Sequence, residues 1–124
     1  MKFGYTIIYV DAVEATIAFY EKAFGLKREM VAGSEFGQLA TGETKLAFAA
    51  KKMLHGPGHF ASPNDKPLAV EIALVTDKVQ AAFDQALAAG AKAVSAPEQK
   101  PWGQTVAYVR DNNGFLVELC TPMG

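Results

Sequence analysis

The stretch Val70-Glu71-Ile72-Ala73-Leu74-Val75-Thr76-Asp77-Lys78-Val79-Gln80 decides the fold, because its grammar occurs once before, at Tyr5-Thr6-Ile7-Ile8-Tyr9-Val10-Asp11-Ala12-Val13-Glu14. In each case a β-branched or apolar run reads as a strand. An aspartate follows, with Glu14 or Gln80 three residues on, a variant of the capping box in which Asp11 or Asp77 accepts from the third helical amide. Helices are therefore expected to start there. Val13, Ile17, Tyr20 and Phe24 recur at helical spacing on one face, as do Val79, Phe83 and Leu87. Gly25 and Gly90 supply the left-handed residue that ends such helices.

A shift of 66 places Asp11 on Asp77, Val13 on Val79 and Ala15 on Ala81. The same shift carries Phe36-Gly37-Gln38 onto Trp102-Gly103-Gln104. An aromatic residue followed by an identical dipeptide is better explained by duplication than by chance. Each half closes with a strand pair. In the first, residues 37–41 and 45–50 flank Gly42-Glu43; in the second, residues 105–110 and 115–121 flank Asp111-Asn112-Asn113-Gly114, whose Asn-Gly suits a hairpin. A further strand is expected near residues 27–31 and near 92–95. Each half thus reads as βαβββ, the first over residues 1–50 and the second over 68–124. Residues 51–67 hold Gly56, Pro57, Gly58, Pro63 and Pro67 without periodicity, and read as a linker or flap.

Composition bounds the function. The 124 residues carry 12 Lys plus Arg against 13 Asp plus Glu, a net charge of −1, so no electrostatic footprint for nucleic acid or anionic lipid is present. Half the residues are apolar, which fits a globular domain. No apolar run has the length of a membrane span, and no secretory signal pattern opens the chain, so a cytoplasmic location is expected. Cys120 is the only cysteine and has no intramolecular disulfide partner.

Two βαβββ halves with these motifs resemble the vicinal oxygen chelate superfamily of glyoxalase I, bleomycin-resistance proteins and extradiol dioxygenases. The resemblance is carried by Tyr5 to Asp11, Ala18-Phe19-Tyr20, Phe24-Gly25-Leu26, Val70 to Val75, and Arg110-Asp111-Asn112-Asn113-Gly114-Phe115-Leu116-Val117-Glu118-Leu119. It implies an α+β fold in which two βαβββ modules form an incomplete barrel around a small-molecule pocket, within a single domain and commonly in a homodimer. It also implies four metal-ligand positions. They fall on Tyr5, Ala47, Glu71 and Glu118.

Metal-dependent members typically have histidine at one or both of the first-strand positions, where this chain has Tyr5 and Glu71, and Ala47 offers no donor at all. If a metal binds, Glu71, Glu118 and Tyr5 are its candidate ligands, an oxygen set suited to Mg or Mn more than Zn, with Fe or Ni the other candidates. No cofactor is favoured. Glu71 shares a strand face with Ala73 and Val75; either it lies at the strand's wet end or pairs with Arg110 or a lysine, or it faces a pocket. Glu118 is one charge in an apolar strand, bonded to Arg110 across the hairpin or facing the same pocket. In a metal-free pocket the two carboxylates could act as an acid/base pair. Tyr5, Tyr9, Phe36, Trp102 and Tyr108 are the candidate ligand contacts, Phe36 and Trp102 because they occupy duplicated positions. His55 and His59 lie in Pro/Gly-rich chain that forbids a helical metal pair, and read as loop residues or as a flap contact. Cys120 reads as a buried inert thiol.

The expected function is metal-independent binding of a small organic molecule, with a cationic or hydrogen-bond-donating ligand suiting the carboxylates. The alternative is a divalent-metal-dependent lyase, isomerase or dioxygenase.

Overall fold

The computed structural model describes residues 4–52 and 71–122. His55, His59 and Val70 lie outside the described residues. The elements run β1 (Tyr5–Val10), α1 (Val13–Phe24), β2 (Lys27–Ala32), β3 (Phe36–Ala40), β4 (Lys45–Ala50), β5 (Glu71–Val75), α2 (Val79–Ala88), β6 (Lys92–Gln99), β7 (Thr105–Arg110) and β8 (Leu116–Cys120). This is the expected α+β pattern of two βαβββ halves. Each half builds one open four-stranded mixed sheet, ordered β1-β4-β3-β2 in the first and β5-β8-β7-β6 in the second. The chain divides into two compact units along nearly the same lines, except that Lys22–Phe24, at the end of α1, group with the second.

In the first unit β1 runs parallel to β4, and β4-β3-β2 are antiparallel. Alternation along the strands sends Ile8, Val10, Leu39, Leu46 and Phe48 to the face covered by α1, where all are buried. The helix answers with Val13, Ile17 and Tyr20, and the Tyr20 and Phe48 rings lie 4.8 Å apart. Gly37 permits this approach: a Cβ there would sit 2.8 Å from Ile17 Cγ1 and 3.1 Å from Val13 Cγ1. Gly25 ends α1 at φ 68°, as its sequence position predicts. Arg28, on the same sheet face, ties β2 to the helix through Glu14 and Glu21, each 2.8 Å away. These pairs are exposed, so solvent screening leaves them little weight in stability.

The second unit repeats the plan, with β5 parallel to β8 and α2 packed on β6, β7 and β8. Val79 and Phe83 face the sheet as expected, but the third inward position is Ala86, fully buried, while Leu87 is only half-buried. The turn after β7 is closed by Asp111, whose Oδ1 accepts from the amides of Asn113 and Phe115, each at 2.8 Å. Gly114 takes the positive φ of 87° that this turn requires.

Two sequence expectations are corrected. The residue capping α1 is Ala12 and that capping α2 is Lys78, and neither helix has a side-chain cap. The strands run to Val10 and Val75, and the chain needs the residues that follow to turn, so each aspartate arrives too early to reach the helical amides. Asp11 instead pairs with Lys51 at 3.4 Å, and Thr76 Oγ1 accepts from the Lys78 amide at 3.1 Å.

The other correction concerns Phe36 and Trp102. Phe36 stands opposite Ala49, which is opposite Tyr9. The shift that carries β1 onto β5 takes Tyr9 to Val75, whose row continues through Cys120 to Val106. Val106 is therefore the counterpart of Phe36. Trp102 lies in the turn between β6 and β7, which is closed by a bond from the Lys100 amide to the Gln104 carbonyl at 2.7 Å. The matching dipeptides do not mark matching places, because this turn is longer than its counterpart between β2 and β3.

Candidate functional site

In the second sheet the face turned away from α2 carries Glu71, Ala73 and Val75 on β5, Leu116, Glu118 and Cys120 on β8, and Val106, Tyr108 and Arg110 on β7. Glu118 stands directly between Ala73 and Tyr108, and Glu71 is its diagonal neighbour on the parallel strand. Glu71 is exposed; Glu118 and Tyr108 are half-buried; Cys120 is buried. The Tyr108 hydroxyl donates a long bond of 3.4 Å to Glu118 Oε1. Cys120 Sγ has the Leu74 carbonyl at 3.9 Å.

The electrostatics follow from this crowding. Burial pushes the Tyr108 phenol above its ordinary value, and the negative charges of Glu118 and Glu71 push it further. The Cys120 thiol is raised by the same causes in the same order. Both groups stay protonated at neutral pH, the phenol as a hydrogen-bond donor and the thiol as an inert wall. Arg110 does not neutralise the carboxylates. It donates to the Gly114 carbonyl at 3.0 Å, holding the hairpin turn. Among the described residues neither Glu71 nor Glu118 forms an ion pair with a lysine or arginine, so the pairings considered for both are not made.

In the first sheet the corresponding face holds Tyr5, Ile7 and Tyr9 on β1, Lys45, Ala47 and Ala49 on β4, Phe36 and Gln38 on β3, and Met30 on β2. Tyr5 and Ile7 are 54% and 45% exposed, whereas Ala47 and Gln38 are at 0% and 8%. A register shift between Arg28 and Met30 places a bulge at Glu29. The bulge turns Glu29 onto this face. Its carboxylate accepts from Gln38 Nε2 at 2.9 Å and from Lys45 Nζ at 3.0 Å. The Gln38 bond and the Lys45 bond together hold Glu29 below the usual carboxylate range.

The sequence reading missed Glu29, Gln38 and Lys45. Only Gln38 carried a signal, as the one polar residue in the apolar run of β3, and a bulge leaves no mark in a sequence pattern. Trp102, 64% exposed, donates from Nε1 to Gln104 Oε1 at 2.9 Å in its turn, away from the Glu71–Glu118–Tyr108 cluster in its own sheet's register. A separate open cavity of about 520 Å³ lies at the start of α2, lined among others by Lys78, Gln80, Pro97, Thr105 and Thr121. It contains none of the predicted site residues.

A metal does not fit the donors well. The four implied positions supply two carboxylates, one phenol and the methyl group of Ala47, and among the described residues no three His, Cys, Asp or Glu side chains come together to hold an ion. A catalytic metal takes about three protein ligands and keeps an open position.

The model of the Glyoxalase/Bleomycin resistance protein/Dioxygenase superfamily matches residues 2–119. The chain belongs to this family. Among solved structures it resembles a glyoxalase-related enzyme from Fulvimarina pelagi, with 18% identity over 98% of this chain and 88% of that one and a TM-score of 0.79. A glyoxalase/bleomycin resistance protein/dioxygenase family enzyme from Burkholderia phytofirmans PsJN is 23% identical over 95% and 96% of the two chains, with a TM-score of 0.77. Lactoylglutathione lyase from Agrobacterium tumefaciens is 19% identical over 98% and 94%, at 0.76. At these identities the likeness concerns the fold. No curated protein matches the chain. No helix among the described residues is long and apolar enough to cross a membrane.

Proposed function

We propose that the protein binds a small organic molecule without requiring a metal, and that the face of the second sheet bearing Glu71, Glu118 and Tyr108 is its polar recognition centre. The observation that carries this reading is the pair of carboxylates on one face that, among the described residues, form no ion pair, Arg110 being bonded to the turn instead. Charge left unbalanced at a partly dehydrated site is costly, and a ligand that brings a positive charge or several hydrogen-bond donors relieves it. Tyr108 adds a donor that stays protonated, so a ligand combining a cationic group with an adjacent acceptor is matched. Tyr5, Tyr9 and Phe36 on the first sheet's open face are assigned to apolar contact. Trp102, fixed by Gln104, is assigned to contact at the edge of the second sheet. The ligand is a partly aromatic or apolar amine, held by sequestration. Residues 1–124 are taken as one domain with residues 51–67 as its flap, and the working assembly as a cytoplasmic homodimer.

Benzylamine and benzyl alcohol, titrated by NMR, test the charge requirement. The amine is expected to bind and the alcohol to bind more weakly, and Glu118→Gln and Glu71→Gln each to weaken the amine by about tenfold, the size of one charged hydrogen bond. Equal binding of the two probes, or unchanged amine binding in both variants, overturns the reading. The competing possibility, a metal-dependent lyase, isomerase or dioxygenase in which Glu71 and Glu118 hold an ion, predicts stoichiometric Mn, Fe, Ni or Zn in protein purified without chelators. Finding it also overturns the metal-independent reading.

A further inference from the structure

The face of the second sheet that bears the two carboxylates also bears two cations. Lys92 on β6 stands directly opposite Arg110 on β7, and directly paired residues share a face, so both lie on the open side with Tyr108. Both are exposed, and among the described residues neither forms an ion pair. Like charges placed opposite one another on neighbouring strands are destabilising, and an anion between them offsets the repulsion. Arg110 donates to the Gly114 carbonyl at 3.0 Å, and a guanidinium carries five N–H donors, so this bond leaves others for an anion.

Register fixes where the two signs lie. One row crosses the sheet as Lys92, Arg110, Leu116 and Glu71, with the cations at one end and a carboxylate at the other. In the next row Glu118 stands beside Tyr108 and is diagonal to both Arg110 and Glu71. Diagonal neighbours lie roughly 7–8 Å apart, within reach of long side chains. The bond to Gly114 nevertheless turns the guanidinium toward the hairpin, and Arg110 and Glu118 do not pair. Donors on β6 and β7 and acceptors on β5 and β8 are thus held side by side, with half-buried Leu116 between them. A simple cation satisfies one side of this arrangement and a simple anion the other. A molecule carrying both charges a few bonds apart satisfies both.

We propose that the ligand of this face is a zwitterion of the α-amino-acid class, seated over Leu116 with its ammonium group between Glu71 and Glu118 and its carboxylate against Arg110 and Lys92. The proposal rests on the small-molecule reading and deepens it, adding an anionic group that binding of an amine does not require. The Tyr108 hydroxyl, whose bond to Glu118 is long at 3.4 Å, lies next to Arg110 along β7 and supplies a neutral donor to the same carboxylate. An apolar side chain on the ligand runs along β5 over Ala73 toward Val75, which is 64% exposed. Every contact lies within the second unit.

L-phenylalanine provides the test beside phenethylamine, which lacks only its carboxylate, and 3-phenylpropanoate, which lacks only its ammonium group. Affinities are read from NMR titration of the backbone amides of β7 and β8. The exposed charges are screened by solvent, so L-phenylalanine is expected to bind the native protein about fivefold more tightly than phenethylamine, with 3-phenylpropanoate the weakest of the three. Arg110→Met brings the ratio of L-phenylalanine to phenethylamine affinity to about one, and Arg110→Lys, which keeps the charge, retains part of it. Arg110 also holds the hairpin turn, so far-UV circular dichroism accompanies its variants. Lys92→Met leaves that turn untouched and lowers the same ratio about twofold. Equal affinity of the native protein for L-phenylalanine and phenethylamine, or a ratio unchanged in Lys92→Met or in folded Arg110→Met, overturns the zwitterion. With benzylamine and phenethylamine still bound through Glu118, that outcome removes this proposal alone, whereas failure of every probe removes the small-molecule reading itself.

Discussion

In the first unit Glu29 meets Lys45 and Gln38, whereas in the second Glu71 and Glu118 share a sheet face with a phenol, a thiol and Arg110, which bonds the turn, and among the described residues they form no ion pair. The two faces follow the same plan. Register places Tyr5 on Glu71, Lys45 on Leu116, Ala47 on Glu118, Ala49 on Cys120 and Gln38 on Tyr108, and the bulge at Glu29 has its counterpart at Val94. The polar groups have changed places around a common frame. One face pairs its carboxylate with a lysine, while on the other the two carboxylates form no ion pair among the described residues.

The inner faces show the same exchange in volume. The shift that pairs the helices sets Ile17 against Phe83 and Tyr20 against Ala86, and beneath them Gly37 against Ala107 and Phe48 against Leu119. The first unit places its bulk one helical turn further along and needs a glycine beneath Ile17 to do so. The second spreads smaller residues and tolerates an alanine. Both solutions close the core, with Tyr20, Phe48, Ala86 and Ala107 all at 0% exposure.

The largest effect that breaks the contrast comes from the carboxylates: Glu71→Gln combined with Glu118→Gln is expected to abolish the preference for benzylamine over benzyl alcohol, with a loss of about tenfold or more in amine affinity. Far-UV circular dichroism should stay unchanged. Gly37→Ala comes next. Overpacking against Ile17 and Val13 is expected to cost about 1–3 kcal/mol, seen as a thermal midpoint lowered by several degrees. A variant as stable as the native protein would show that α1 retreats without cost.

The thiols sharpen the comparison with a smaller effect. Cys120 should react with iodoacetamide only at a pH above that of an ordinary thiol, and Ala49→Cys in a Cys120→Ala background, on the face without the two glutamates, should react at lower pH. The sign also fixes a stability trend. A thiol raised in the folded state keeps its proton after the unfolded chain has lost it, so stability falls as pH rises past the unfolded value of about 8.5. Tyr108 acts in the same direction at higher pH, and Glu118→Gln should bring its ionisation, read from ultraviolet absorbance, down toward the ordinary phenol range.

The smallest effect belongs to Glu29. Its lowered carboxyl contributes stability above the unfolded value near 4.3, and the contribution is lost as pH falls through the folded value. Lys45→Met should move the Glu29 titration, followed by NMR, back toward the ordinary range. Gln38 would retain part of the shift.

Residue pattern alone was enough for the βαβββ repeat, most of the inward faces of α1 and α2 (Phe24 is only half-buried and Ala23 is buried in its stead), the stop at Gly25 and the turn at residues 111–114, because each depends on local periodicity or on one residue's backbone freedom. It also singled out Glu71 and Glu118, since a lone charge in an apolar strand stands out without knowledge of the fold. The caps at Asp11 and Asp77 failed because a strand's last pairing lies outside the local window. The match of Phe36 to Trp102 failed because turn length, not dipeptide identity, sets register.

Tertiary structure alone decided how charge is managed on the two faces. Glu29, Gln38 and Lys45 lie on three different strands, and they meet because a bulge and two cross-strand registers bring them to one face. That Glu71 and Glu118 form no ion pair among the described residues depends in turn on Arg110, on the same face, bonding the turn rather than a carboxylate. Side-chain identity is written in the sequence. Which side chains meet depends on pairing between strands distant in the chain, and that is settled only when the sheets form.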